Sequence, residues 1–166
     1  DTPPALGYLT INGLAASDIL LVPLGASFLE FDSTGRFFDM LHTTFQSIED
    51  GENLAARALG RDELNFEWDA VRAVITRYDG SQQAELAALM QAYLGPTLSP
   101  HRQDFTALIG QAGEQVQGIY EADYRDFNRE TYARGRETFD ATYAAFKSLL
   151  IGAWRRDELA QQQAAE

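Results

Sequence analysis

The residues with the clearest chemical potential stand at the head of the chain: Asp1-Thr2-Pro3-Pro4. A carboxylate followed by a proline pair is the pattern of a buried strand ending and a loop beginning. Proline fixes φ and lacks an N–H, so a pair of them stops a strand and stiffens the adjoining loop. In nucleotide-hydrolysing α/β proteins, a carboxylate at such a strand end holds a magnesium ion. On this reading Asp1 is a candidate catalytic and metal-site carboxylate. Pro3, Pro4 and the nearby Gly7 shape the loop beyond it, and the strand leading into Asp1 is expected upstream.

Other reactive groups are sparse. The chain has 166 residues and no cysteine, which excludes disulfides, thiolate metal sites and cysteine nucleophiles and is compatible with a reducing cytoplasm. His42 and His101 stand far apart, outside any metal-ligand spacing, and read as surface or boundary residues. Lys147 is the only lysine, and no Gly-Lys-Gly-Gly or Gly-x-x-x-x-Gly-Lys-Ser/Thr appears. The loop that supplies backbone N–H groups and a lysine to phosphates is therefore missing from these residues. The formal net charge is −12, so any contact with nucleic acid needs a local basic patch or a partner. No apolar run approaches the roughly 20 residues that span a bilayer, and no basic-then-apolar leader is visible. With 45% apolar residues the chain can build a real core.

The elements that must position these residues follow from periodicity. Leu6 to Ala15 fits a short helix loosened by Gly7 and Gly13. Ile19-Leu20-Leu21-Val22-Pro23-Leu24 is a continuous apolar run, too short for a buried helix, and predicts a strand covered on both faces. Ser27 opens a helical pattern through Phe28, Phe31, Phe38, Leu41, Phe45 and Ile48, with an end expected at Asp50-Gly51 and a loop over 51–65. A second strand is expected over 66–78, centred on Ala70–Thr76. Asp79-Gly80 reads as a turn and Ser81 as the N-cap of a helix to Leu94, stopped by Gly95-Pro96. A short extended piece at 97–100 and irregular chain to Gly113 come next. Residues 114–160 read as helical with a break near 118–123. Phe139, Tyr143, Phe146, Leu150 and Trp154 form the expected core stripe of the last part. Strands alternating with helices imply a parallel α/β sheet, whose ligands sit at the carboxyl ends of the strands.

Asp1 to Thr10 resembles the loop after the second acidic motif of the ParA family of partition ATPases, which includes the RepA proteins of plasmid partition systems. Ile19–Leu24 resembles the family's next strand, and Phe28–Leu41 the helix after it. Val74-Ile75-Thr76-Arg77-Tyr78-Asp79 is similar to the family's strand-to-loop segment ending in Thr-Arg-Tyr. Thr106–Gly113 occupies the place of a Ser-Asp-Ala-Gly-like loop. Ile119–Glu121, Asn128–Tyr132, Phe139–Ala141 and Ala153–Arg155 resemble the plasmid-type C-terminal helix. The resemblance runs in order along nearly the whole chain.

The resemblance implies a P-loop NTPase-like fold of the deviant-Walker class, seen as its C-terminal half. Residues 1–113 would be part of the ATPase core, and 114–166 C-terminal helices packed on it. It implies ATP and Mg2+ as cofactors, a cytoplasmic homodimer, nonspecific DNA binding, a ParB-like partner and no membrane. Carried over, Asp1 is the magnesium carboxylate acting through a water. Pro3, Pro4 and Gly7 form the loop that senses the γ-phosphate. Thr76, Arg77 and Tyr78 lie near base or ribose, and Phe105–Ala112, with Gln111, closes over the nucleotide. The chain departs from the pattern in lacking the phosphate loop, and in carrying Gly110-Gln111 where the family has Ser and an acidic residue. On an ideal helix Arg125, Arg129 and Arg136 fall within about 40° and could meet DNA phosphates. The pairs Glu121–Arg125, Glu130–Arg134 and Arg136–Asp140 equally suit a solvated helix face. A non-enzymatic dimerisation or partner-binding module, or a related ATPase positioning another cargo, are the alternative functions.

Overall fold

The computed structural model of the chain describes residues 6–80 and 83–164, with side chains to Arg155. Asp1, Pro3, Pro4 and Ser81 lie outside the described residues. The elements are α1 (Tyr8–Ala15), β1 (Ile19–Gly25), α2 (Phe28–Leu59), β2 (Ala70–Thr76), α3 (Ala84–Leu94), α4 (Leu108–Glu114) and α5 (Arg129–Ala164).

The expected parallel sheet is present, in a small form. β1 pairs with β2 in parallel, in register from Ile19 opposite Ala70 to Gly25 opposite Thr76. Beyond β2 the chain adds isolated parallel bridges, Ala73 to Leu98 and Tyr78 to Asp104. Backbone bonds hold this margin: Ser99 N–H donates to Ala73 C=O (2.7 Å) and Gln103 N–H to Ile75 C=O (2.7 Å). The protein is thus mixed α/β and mostly helical.

Side chains alternate across a strand, so Leu20, Val22 and Leu24 share a face with Val71, Ala73 and Ile75. Two core clusters sit on this face. Toward the carboxyl ends, Leu24, Ala73 and Ile75 pack with Ala87, Met90 and Leu98. Toward the amino ends, Leu20 packs with Leu14, Leu41 and Phe45, bordered by Phe66 and Trp68. Trp68 Nε1–H donates to Leu14 C=O at 2.9 Å, tying α1 to the approach of β2. Helix α5 approaches β1. Neither cluster contains an α5 residue, and on the opposite face of β1 Leu21 stays 41% exposed.

Three expectations need correction. Helix α2 does not stop at Asp50-Gly51 but continues to Leu59. A mid-helix glycine costs only about 1 kcal/mol. The far turns offset it: Gly60 closes the helix at φ 64, with Gly60 N–H and Arg61 N–H bonded back to Arg57 and Ala56. The return chain is pinned to α2. Leu64 N–H donates to Asn53 Oδ1 (2.6 Å), Asn53 Nδ2 to Leu64 C=O (2.9 Å), Phe66 N–H to Glu49 Oε1, and Arg57 pairs with Glu63 (2.8 Å).

The second correction concerns the region before α5. Residues 108–114 are helical, and the break spans 115–128. Val116 takes a left-handed φ of 56 after α4, and Gln117 N–H bonds back to Ala112 C=O. Asn128 then caps α5, its Oδ1 accepting from Glu130 and Thr131 N–H.

The third concerns the α5 stripe. Phe146 is buried, but Tyr143 and Trp154 are exposed. The buried line runs through Gly135, Thr138, Phe146 and Ala153, rotated by roughly 70° from the expected arc. Small residues let the helix backbone itself approach. A Cβ on Gly135 would lie 2.6 Å from Leu108 Cδ2 and 2.9 Å from Leu108 Cβ.

Candidate functional site at the carboxyl ends of the strands

β2 delivers Thr76, Arg77 and Tyr78 to the carboxyl edge of the sheet. Thr76 Oγ1 donates to Leu24 C=O at 3.4 Å, bracing the two strand ends. Arg77 turns the chain with a left-handed φ of 52. Tyr78 then rejoins a ladder: its N–H donates to Gln103 C=O (3.0 Å), and its C=O accepts from Phe105 N–H (2.9 Å). The guanidinium of Arg102 lies 4.8 Å from the centre of the Tyr78 ring.

The segment Gln103–Ala107 therefore forms a wall beside β2, and α5 anchors it. Asp104 N–H donates to the buried Thr138 Oγ1 at 2.8 Å. Thr106 Oγ1 accepts from Leu108 N–H at 3.2 Å, opening α4.

Clefts flank this wall. One, of about 600 Å³, is lined by Tyr78, Asp79, Asp104, Thr106, Glu130 and Arg134. Three carboxylates against one guanidinium give it acidic character, unsuited to bare phosphate but open to a neutral ring or sugar. A second, of about 460 Å³, is more apolar and brings Arg77 and Gln111 together with Phe105 and Ile109. A third cleft, of about 490 Å³ and not lined by the wall, joins Thr76 and Arg77 to Gly25, Glu30 and Thr34.

Thr76, Arg77, Tyr78 and Gln111 thus gather at one end of the sheet. Gly7 precedes α1 as its N-cap and lines none of these clefts. Asp1, Pro3 and Pro4 lie outside the described residues. The arginines expected on one helix face are divided. Arg125 belongs to a short 3₁₀ turn (Tyr124–Asp126) ahead of α5, near Asp123 (3.9 Å) and over the Tyr124 ring. Arg129 begins α5, and Arg136 stacks over the Tyr120 ring at 4.2 Å. None of the three expected i,i+4 pairs is an ion pair among the described residues. Asp140 instead accepts from Tyr120 OH at 2.9 Å, and this hydrogen bond raises the phenol above its ordinary pKa. The Arg57–Glu63 hydrogen bond lowers the Glu63 carboxyl and raises Arg57.

Sequence reading missed Glu30, Gln103 and Asp104. The last two join the site by backbone pairing alone and carry no side-chain signal. Glu30 had one: Ser27-x-x-Glu30 is a capping-box spacing. Among the described residues no group of three or more His, Asp or Glu could hold a metal ion. None of their helices is long and apolar enough to cross a membrane.

No family model matches the chain. It is 30% identical over 158 residues, 94% of its length, to a protein of Sinorhizobium fredii provisionally named replication protein A. It is 28% identical over the same span to a Rhizobium rhizogenes protein with the same provisional name. An 85-residue stretch, 51% of the chain, is 33% identical to protein SopA of Escherichia coli K12. The chain spans 36% of the length of the first two and 18% of SopA.

Proposed function

We propose that the chain belongs to an ATP-dependent DNA partition protein of the ParA type, acting in plasmid or chromosome maintenance. The carrying observation is the continuous similarity over 94% of the chain to proteins named for replication. The stretch shared with SopA and the gathering of Thr76, Arg77, Tyr78 and Gln111 at one sheet edge agree with it.

The residues fit one half of a nucleotide. The Tyr78 cleft offers an aromatic ring, backbone groups and hydroxyls to a base and ribose. No Gly-Lys-Gly-Gly or Gly-x-x-x-x-Gly-Lys-Ser/Thr phosphate loop occurs among the 166 residues. Asp1 would hold Mg2+, which neutralises phosphate charge when bound. Pro3, Pro4 and Gly7 would carry the change of shape that accompanies γ-phosphate binding. Tyr78, held between two backbone bonds, fixes one wall against the ligand. Phe105, at 60% exposure, lines the same cleft.

In this reading the protein is a cytoplasmic homodimer that binds DNA nonspecifically and answers to a ParB-like partner. Arg125, Arg129 and Arg136 are candidate DNA contacts. The test is ATP turnover by the product of the complete reading frame, with and without DNA. DNA-stimulated turnover lost in Asp1→Ala supports the proposal; no DNA stimulation and no loss refutes it. A second reading is a non-enzymatic dimerisation or partner-binding module. A Gly-Lys-Gly-Gly-type loop upstream of Asp1 excludes that alternative.

A further inference from the structure

The Ser27-x-x-Glu30 spacing is used only by half. Ser27 Oγ accepts from Glu30 N–H at 3.2 Å, as a helix cap should. The reciprocal bond is absent, because Ser27 N–H donates to Gly25 C=O at 2.9 Å. The Glu30 carboxylate is turned away from its own helix end to Arg77, with Oε1 2.9 Å from the guanidinium. It lies directly on the backbone of Gly25, where a Cβ would stand 2.0 Å from Oε2. Arg77 in turn occupies a left-handed backbone position that a non-glycine residue adopts at some cost. It borders both the cleft that holds Glu30 and the cleft that holds Gln111.

We propose that Glu30 is an internal counter-anion for Arg77, occupying the position of an anionic ligand group. A phosphate-bearing ligand entering the cleft that Arg77 shares with Gly25, Ser33, Thr34 and Thr76, whose lining carries Glu30 as its one carboxylate, takes Arg77 from Glu30. The freed carboxylate then returns to the Ser27 N–H, or to water, at the start of α2. The exchange links the cleft to α2 and the β1–α2 turn. It rests on the nucleotide reading only for the identity of the ligand, since the chemistry concerns any phosphate anion. The pair is partly exposed, with side chains 69% and 39% accessible. Its release is therefore worth a modest gain, about twofold to fivefold in affinity.

The test is calorimetric titration of the full chain with tripolyphosphate and with ATP at low salt. Glu30→Gln is expected to bind both about twofold to fivefold more tightly than wild type. Gly25→Ala, which expels the carboxylate without removing a charge, should give the same direction of change. The gain should vanish in Glu30→Gln/Arg77→Gln and shrink at high salt. A gain for tripolyphosphate but not for ATP keeps the exchange and removes the nucleotide reading. If Glu30→Gln and Gly25→Ala keep the wild-type circular dichroism and urea midpoint yet bind neither anion more tightly, the exchange is refuted. A gain that survives in the double variant refutes it too.

Discussion

Gly135 and Gly152 lie in the same helix, and alanine should have opposite effects at the two. At Gly152 an added Cβ meets nothing within 4 Å. The substitution there recovers helix propensity alone, a gain of up to about 1 kcal/mol. At Gly135 the same methyl lands 2.6 Å from Leu108 Cδ2, 2.9 Å from Leu108 Cβ and 3.0 Å from Thr106 Oγ1. The Cδ2 contact could be relieved by a rotamer change, but the Cβ contact cannot. Leu108 is fully buried, so α4 or α5 must move. Overpacking of this kind costs about 1–3 kcal/mol and outweighs the propensity gain. Gly135→Ala should therefore fall below Gly152→Ala by about 2 kcal/mol. With a urea m-value of about 2 kcal/mol/M, the two midpoints should lie about 1 M apart. Urea unfolding followed by circular dichroism measures this directly. If Gly135→Ala proves as stable as Gly152→Ala, α4 and α5 do not approach as closely as Gly135 and Leu108 imply.

Two further outcomes are expected. Asn53→Ala removes both hydrogen bonds to Leu64 and should cost about 1–2 kcal/mol. The Leu64 amide should exchange hydrogen faster while β2 amides keep their protection; an unchanged Leu64 rate would contradict the pinned return chain. Tyr120 titrates above its ordinary value of 10.0 because Asp140 accepts its proton in a hydrogen bond. A raised phenol contributes stability fully below pH of about 10, and loses it as pH rises through the folded value. Asp140→Asn should move the Tyr120 ultraviolet titration, isolated by subtraction of Tyr120→Phe, back down; no movement would exclude the contact as the cause.

The fold was legible where the pattern was local and strong. The apolar run at 19–24 and the block at 70–76 became the parallel pair, because short apolar runs bounded by turn residues have few other uses. The misreadings share a physical origin. Gly51 looked like a stop, but contacts made by Asn53 and Arg57 outweigh one weak helical residue. The aromatic arc of α5 looked like its core face, but a helix that packs by close backbone approach buries its smallest residues and leaves Tyr143 and Trp154 outside. For the site, Thr76–Tyr78 was readable as a strand end. The Gln103–Ala107 wall was not, because it joins through main-chain bonds that any side chains permit.

The length of α2 sets a ruler for the segment after it. Thirty-two residues span about 48 Å of helix, whereas seven-residue β1 spans about 23 Å. Only Leu41 and Phe45 of this helix are buried, so its last turns overshoot the sheet. The chain must travel back along the helix before it can enter β2. Glu49, Asn53 and Arg57 mark off that journey at one-turn intervals, each holding a point on the returning strip. Insertions in the outer turns must therefore be matched by insertions in the strip. A matched pair of changes alters the reach of this arm and leaves the registration of β1 on β2 untouched.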